Sequence, residues 1–180
     1  GRQLGSGLNC PLSSGMGRLF DGVAAILGIR EVCSYEGQAA VLLEAAAGES
    51  DVSFPVEFCA EAAPEDPQSR LLRFDWRPMI RELLHLREGK YPVSGLAAMF
   101  MNTLVDMAVQ SALHASAETG IRQVVLSGGS FQNQYIMRRL PEALRKAGLR
   151  VYTHCRVSCN DEGLSLGQLA VAADCFANRR

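Results

Sequence analysis

Gln123-Val124-Val125-Leu126-Ser127-Gly128-Gly129-Ser130-Phe131-Gln132-Asn133 is the stretch on which the fold turns. It opens as a short apolar, β-branched run that suits a strand, and Ser127-Gly128-Gly129 then lets the backbone turn sharply without Cβ interference. Ser130 is a candidate N-cap for a helix running through Tyr135, Ile136, Met137 and Leu140 to Gly148. A Gly-rich strand-to-helix turn offers free N–H groups and the positive end of a helix dipole to a phosphate. The same pattern is also a common structural turn, and these residues alone leave both readings open.

The plan repeats about 30 residues later. Residues 149–153 read as a strand, Asn160 or Asp161 as a cap, and 164–173 as an Ala-rich buried helix. Asp161 is therefore either an N-cap or a carboxylate at the ligand-facing end of a sheet, available to a cation or a phosphate-bound metal. Strand, helix, strand, helix after Gly120 predicts an α/β arrangement with a parallel sheet, right-handed crossovers and flanking helices.

Upstream, residues 1–11 are Gly-rich and predict an extended or frayed lead-in. Ser13-Ser14-Gly15-Met16-Gly17-Arg18-Leu19-Phe20-Asp21 opens a helix ending at Gly28, and Asp21 falls one turn beyond Gly17 on the same side. A second helix is expected over 38–47, strands over 52–59 and 71–75, and a solvated, flexible loop near 60–69 between them. Helices over 76–88 and 94–118 follow, the longer with Leu96, Met99, Phe100, Thr103, Leu104, Met107 and Leu113 near one face. Its methionines suit an adaptable partner surface or ordinary core. No internal repeat or second domain boundary stands out.

With 180 residues, 48% of them hydrophobic, the chain is long enough for one sizeable core or for one lobe of a two-lobed protein. A net charge of -1 gives no electrostatic case for nucleic acid or a membrane surface. No unbroken apolar run approaches the roughly 18 residues of a membrane span, and no signal-peptide pattern opens the chain. The lack of an initiator Met suggests a fragment or a processed piece. Six cysteines without a C-x-x-C pair read as free thiols of a reducing cytoplasm. His154, Cys155 and Cys159 form one local cluster, which strand-end residues explain better than a metal site, because no fourth ligand is near in sequence. His85 and His114 sit in helical patterns with no assigned role.

Four segments in order carry a family resemblance: 13–21, Tyr35-Glu36-Gly37-Gln38-Ala39-Ala40, Ser127 to Asn133, and Asn160 to Gln168. Together they resemble the C-terminal part of HypF, the hydrogenase-maturation carbamoyltransferase family, over nearly the whole chain. The resemblance implies an actin-like, sugar-kinase-like ATPase fold, mainly its second lobe, with residues 1–180 as the C-terminal lobe of a HypF-like carbamoyltransferase domain. It further implies carbamoyl-adenylate made from carbamoyl phosphate and ATP, and carbamoyl transfer to the C-terminal cysteine of HypE in the maturation of [NiFe]-hydrogenase.

Residue by residue, Gly17 and Asp21 match a Gly-x-x-x-Asp helix start whose carboxylate accepts hydrogen bonds from ribose hydroxyls. Gly128 and Gly129 match the turn beside the phosphates, Asn133 an Asn that contacts the nucleotide, and Asp161 a carboxylate of an iron or zinc site. The His-x-x-x-His pair that completes that metal site in relatives is missing from this sequence. The resemblance thus predicts a lobe that is inactive alone and works with the remainder of HypF, without nucleic acid or membrane, in the cytoplasm. A tRNA threonylcarbamoyl-adenosine synthase-like lobe and an inactive nucleotide-binding lobe are the alternatives; Phe131-Gln132, Ser13-Ser14 and Arg18 lie closer to HypF.

Overall fold

The computed structural model describes residues 5–7, 13, 15–63 and 66–178, with the backbone alone for 58–63 and 66–72. Its elements are α1 (Met16–Ile26), α2 (Gln38–Ala46), β1 (Glu57–Ala63), β2 (Asp66–Asp75), α3 (Arg77–Glu88), α4 (Val93–Thr119), β3 (Gln123–Leu126), α5 (Gln134–Lys146), β4 (Arg150–Thr153) and α6 (Leu164–Ala177). Short 3-10 turns at Gly129–Gln132 and Asp161–Gly163 precede α5 and α6. Apart from 5–7, the predicted lead-in over 1–11 lies outside the described residues.

Helix α4 is the centre of the core. The expected single apolar face is too narrow a description, because Leu96 through Val105 are all buried, and Met107 with them. Leu113, expected on that face, is 42% exposed. Phe100 is fully buried and packs edge-to-face with the Phe20 ring from α1, at 5.2 Å between centroids and 84°. Met99, Met101 and Met107 are buried, which is the ordinary core reading. Helix α4 also meets the length of a membrane span. By length and composition it is long and apolar enough to cross a bilayer, and more than half of its apolar stretch is buried here. Asn102, Thr103 and Asp106 interrupt the apolar run without lowering the average enough to hide it.

Those interruptions organise the segment before β1. Buried Asn102 donates from Nδ2 to the carbonyls of Ser50 and Val52, at 2.7 and 3.0 Å, and its Oδ1 accepts from the Tyr135 hydroxyl at 3.1 Å. Buried Thr103 accepts from the Phe54 N–H at 2.8 Å and donates to the Met99 carbonyl at 2.7 Å. The backbone of 50–54 thus finds its partners in side chains of a helix, so the strand expected from residue 52 begins only at Glu57.

Strands β1 and β2 form an antiparallel hairpin paired from Glu57↔Asp75 to Ala63↔Asp66, with an irregularity between Ala62 and Ala63. The loop expected near 60–69 is therefore corrected over 60–63 and 66–69, whose backbones lie in the ladder; its tip, 64–65, lies outside the described residues. Pro67 fits a two-stranded sheet because each strand there has an edge unpaired among the described residues, which requires no donor.

Strands β3 and β4 pair in parallel, in the register Gln123↔Arg150, Val124↔Val151, Val125↔Tyr152 and Leu126↔Thr153, with α5 as the connection between them. Helix α5 packs on α4 through Tyr135, Ile136, Leu140 and Leu144, all buried. This is an α/β fold with helices around α4 and a short parallel sheet.

Truncation of Phe100 to Ala removes the ring at the centre of this core. It is expected to lower the urea unfolding free energy by about 3–5 kcal/mol. At the start of α3, Asp75 pairs with Arg77 and accepts its backbone N–H at 2.9 Å. The Arg77 side-chain hydrogen bonds, and then its backbone N–H, hold the Asp75 carboxyl at about 2 instead of 3.8. A depressed carboxyl pKa contributes stability that is complete above the unfolded value and is lost as pH falls through the folded one. Asp75→Asn should therefore lower the urea midpoint at pH 7, and its difference from the parent should fade between pH 3.8 and 2.

Candidate functional site

The parallel register decides where the two turns meet. Leu126↔Thr153 is the last pair, so Ser127 and His154 leave neighbouring strands at the same level, as expected at the carboxyl edge of a parallel sheet. His154 Nε2 lies 3.1 Å from Ser127 Oγ. The Gly128 N–H donates to the Cys159 carbonyl at 2.6 Å, which joins the first turn to the loop leading into the second. Gly128 has φ +113°, a conformation that L side chains rarely adopt. Around this junction opens a cleft of about 640 Å³ whose wall includes Ser127, Gly128, His154, Cys159, Asn160 and Asp161.

In the second turn, Asn160 is the cap. Its Oδ1 accepts from the Glu162 N–H at 3.1 Å and from the Ser158 hydroxyl. Asp161 is thereby spared the capping role and sits exposed on the cleft wall. Gly163 is required by close approach: a Cβ there would lie 2.6 Å from the Ser158 carbonyl oxygen.

The first turn differs from expectation. Residues 129–132 form a 3-10 turn, so the helix starts later and Asn133, not Ser130, is its N-cap, accepting from the Ile136 N–H at 3.0 Å. Glu44 reaches across from α2, and its Oε1 accepts from the Gln134 and Tyr135 N–H groups at 2.7 and 3.3 Å. The Met137 N–H is bonded to the Asn133 carbonyl. All four leading N–H groups of α5 are therefore satisfied within the fold, and the helix end itself offers none to a ligand. Asn133 is 8% exposed, is committed to this cap and also approaches Met101 Sδ at 3.6 Å.

Of the residues singled out from the sequence, Gly128 and Asp161 share the cleft wall. Gly129 lies on the exposed side of the same turn. Gly17 and Asp21 lie at the start of α1, where Asp21 pairs with Arg18 at 3.3 Å, and neither is on that wall. A Cβ at Gly17 would meet nothing within 4 Å. Ser127 and Glu44 carry no site role in the sequence reading, and Asn160 appears there only as a possible cap. Pairing 123–126 with 150–153 in parallel would have brought Ser127 and His154 together, whereas nothing in the sequence marks Glu44 as the partner of a helix 90 residues away.

Among the described residues no group of three His, Cys, Asp or Glu side chains is placed to hold a metal ion. Asp161 supplies one carboxylate, and Cys155 turns to the Thr153 carbonyl at 3.6 Å. These residues do not by themselves fit an iron or zinc centre. Cys33, Cys155, Cys159 and Cys175 are free thiols; Cys10 and the Cys59 side chain lie outside the described residues.

Residues 1–168 match the family model "Carbamoyltransferase, Kae1-like Domain, second subdomain". A carbamoyltransferase HypF from Synechocystis sp. is 34% identical over 93% of this chain and 20% of its own length. One from Rhizobium leguminosarum bv. viciae is 38% identical over 93% of this chain and 21% of its own length. The crystal structure of full-length HypF in its phosphate- and nucleotide-bound form superposes with a TM-score of 0.85 at 37% identity, covering 97% of this chain and 22% of that one. The chain thus spans about a fifth of the length of these relatives.

The tight approach at Gly163 gives a local test. Gly163→Ala should displace the 158–163 turn and remove amide-exchange protection at Glu162, while the urea unfolding free energy of the α4 core changes by no more than about 0.5 kcal/mol.

Proposed function

The chain belongs to the HypF carbamoyltransferase family, as the second subdomain of its Kae1-like domain, and from that premise we propose that it is one lobe of an actin-like, sugar-kinase-like ATPase fold that binds ATP and carbamoyl-adenylate. The observation that carries this reading is the junction of the two turns, Gly128 N–H to Cys159 carbonyl, around a single cleft at the carboxyl edge of a parallel sheet. The nucleotide-bound form of the solved HypF relative supports it.

In this reading the exposed turn at Gly128 and Gly129 lies beside the phosphates, and Asp21 accepts from the ribose hydroxyls. The open space over Gly17 allows close approach of the nucleotide. Asn133 acts by holding the α5 end that carries the turn. The acceptor thiolate of the HypE C-terminal cysteine attacks the carbamoyl carbon, the bond from that carbon to the adenylate phosphate oxygen breaks, and AMP leaves with the electron pair. Iron or zinc in the complete domain would find one oxygen ligand here in Asp161, and the other ligands outside this sequence.

A second partner, the remainder of HypF, is supported by α6. Leu166, Leu169 and Phe176 are each more than half exposed and none of them lines the cleft. An apolar helix face of that kind is stable when covered by other protein. The cytoplasm, where HypE would be met, is the proposed location.

Carbamoyl transfer to HypE by the full-length protein tests the reading, with tRNA as the alternative acceptor. Asp161→Ala should reduce transfer at least 100-fold while leaving the thermal midpoint unchanged; undiminished transfer, or transfer to tRNA alone, would overturn it. Gly17→Ala separates stability from binding. Ala at this open helical position should raise unfolding free energy by about 0.5–1 kcal/mol, yet weaken ATP binding measured by calorimetry.

A further inference from the structure

The cleft presents a charge problem. Asp161 is the one fixed charge on its described wall, and no Lys or Arg lines it. The four leading N–H groups of α5 are taken by Glu44, Asn133 and the helix itself. The Gly128 N–H is taken by the Cys159 carbonyl. A phosphoryl anion entering here meets a carboxylate and loses the usual helix-end donors. Beside the hydroxyls and the amides of Asn160 and Gln168, His154 is the side chain on that wall that can carry a positive charge against Asp161 as well as donate a ring N–H.

Its position is built by the sheet. His154 follows the last register pair of β4, as Ser127 follows that of β3, and the 3.1 Å contact between Nε2 and Ser127 Oγ fixes the ring edge. In either tautomer the pair keeps at least one hydrogen to offer outward, from the hydroxyl when Nε2 donates or from Nδ1 when Nε2 accepts.

We infer that His154 is the anion-binding side chain of this cleft, that Ser127 positions its ring, and that the group it holds is a phosphoryl oxygen of the ligand. The inference rests on the nucleotide reading above only for the organic part of that ligand.

Calorimetry on the 180-residue chain with adenosine, ATP and inorganic tripolyphosphate tests it. His154→Ala should weaken ATP and tripolyphosphate at least about tenfold, the scale of a hydrogen bond to a charged group, and change adenosine less than twofold. His154→Lys, which supplies a cation at this place, should recover most of the tripolyphosphate binding, and Ser127→Ala should fall between parent and His154→Ala. Equal losses for adenosine and ATP would mark a structural role and overturn the inference, as would tripolyphosphate binding indifferent to His154. If tripolyphosphate binds through His154 and adenosine does not bind, the inference stands and the nucleotide reading falls. If adenosine binds but phosphates add nothing, the nucleotide reading stands and the inference falls. Failure of all three ligands to bind the parent overturns both.

Discussion

Burial of α4 between residues 96 and 107 is the constraint on which the rest of the molecule depends. A helix enclosed on every side must be surrounded by elements that each offer it an apolar face, and α2, α3 and α5 all do so. Its two buried polar residues cannot be left unpaired at that depth, since an unsatisfied buried group costs about 1–3 kcal/mol. Asn102 and Thr103 therefore dictate the path of 50–54, and Asn102 also holds the Tyr135 hydroxyl of α5. The core thus positions α5, and α5 in turn connects β3 to β4.

Glu44 extends that chain of dependence to the site. It sits on a helix packed against the core and closes the N-terminus of α5 from outside. Asn133 closes the same end from within. A carboxylate at a helix N-terminus is favourable to the dipole, so the end that a phosphate would seek is neutralised by the protein itself. Anion recognition at this sheet edge has to rest on the loop backbone and on strand-end side chains instead.

Both turns were legible in the sequence because their signals are local: a short strand-like run and a capping residue before a helix, with adjacent glycines added in the first. The parallel order was legible because a helix separates the two runs. What was lost was everything decided at long range. Ser130 and Asn133 are both acceptable caps by residue type, and only the 3-10 turn over 129–132 selects Asn133. Asp161 and Asn160 are interchangeable as caps by residue type, and the structure selects Asn160, whose amide oxygen accepts from the Glu162 N–H. The inner part of the β1–β2 hairpin was hidden because Pro64, Pro67, Glu61, Glu65 and Asp66 read as a solvated loop between two shorter strands, although backbone pairing is indifferent to their charge. Gly17 and Asp21 were joined to the turns by family pattern, and they lie on a different element from the cleft wall.

Strands β3 and β4 make a sheet of two, each four residues long and each with one outer edge unpaired within the described residues. Those edges are rows of amides and carbonyls already held straight by the packing of Val124 and Val151 on the core. An incoming strand would find its direction and spacing set by this pair before it arrived, and Val125 and Tyr152, exposed side by side, would give it an apolar surface to cover. The short ladder is in this sense a template for growth of the sheet.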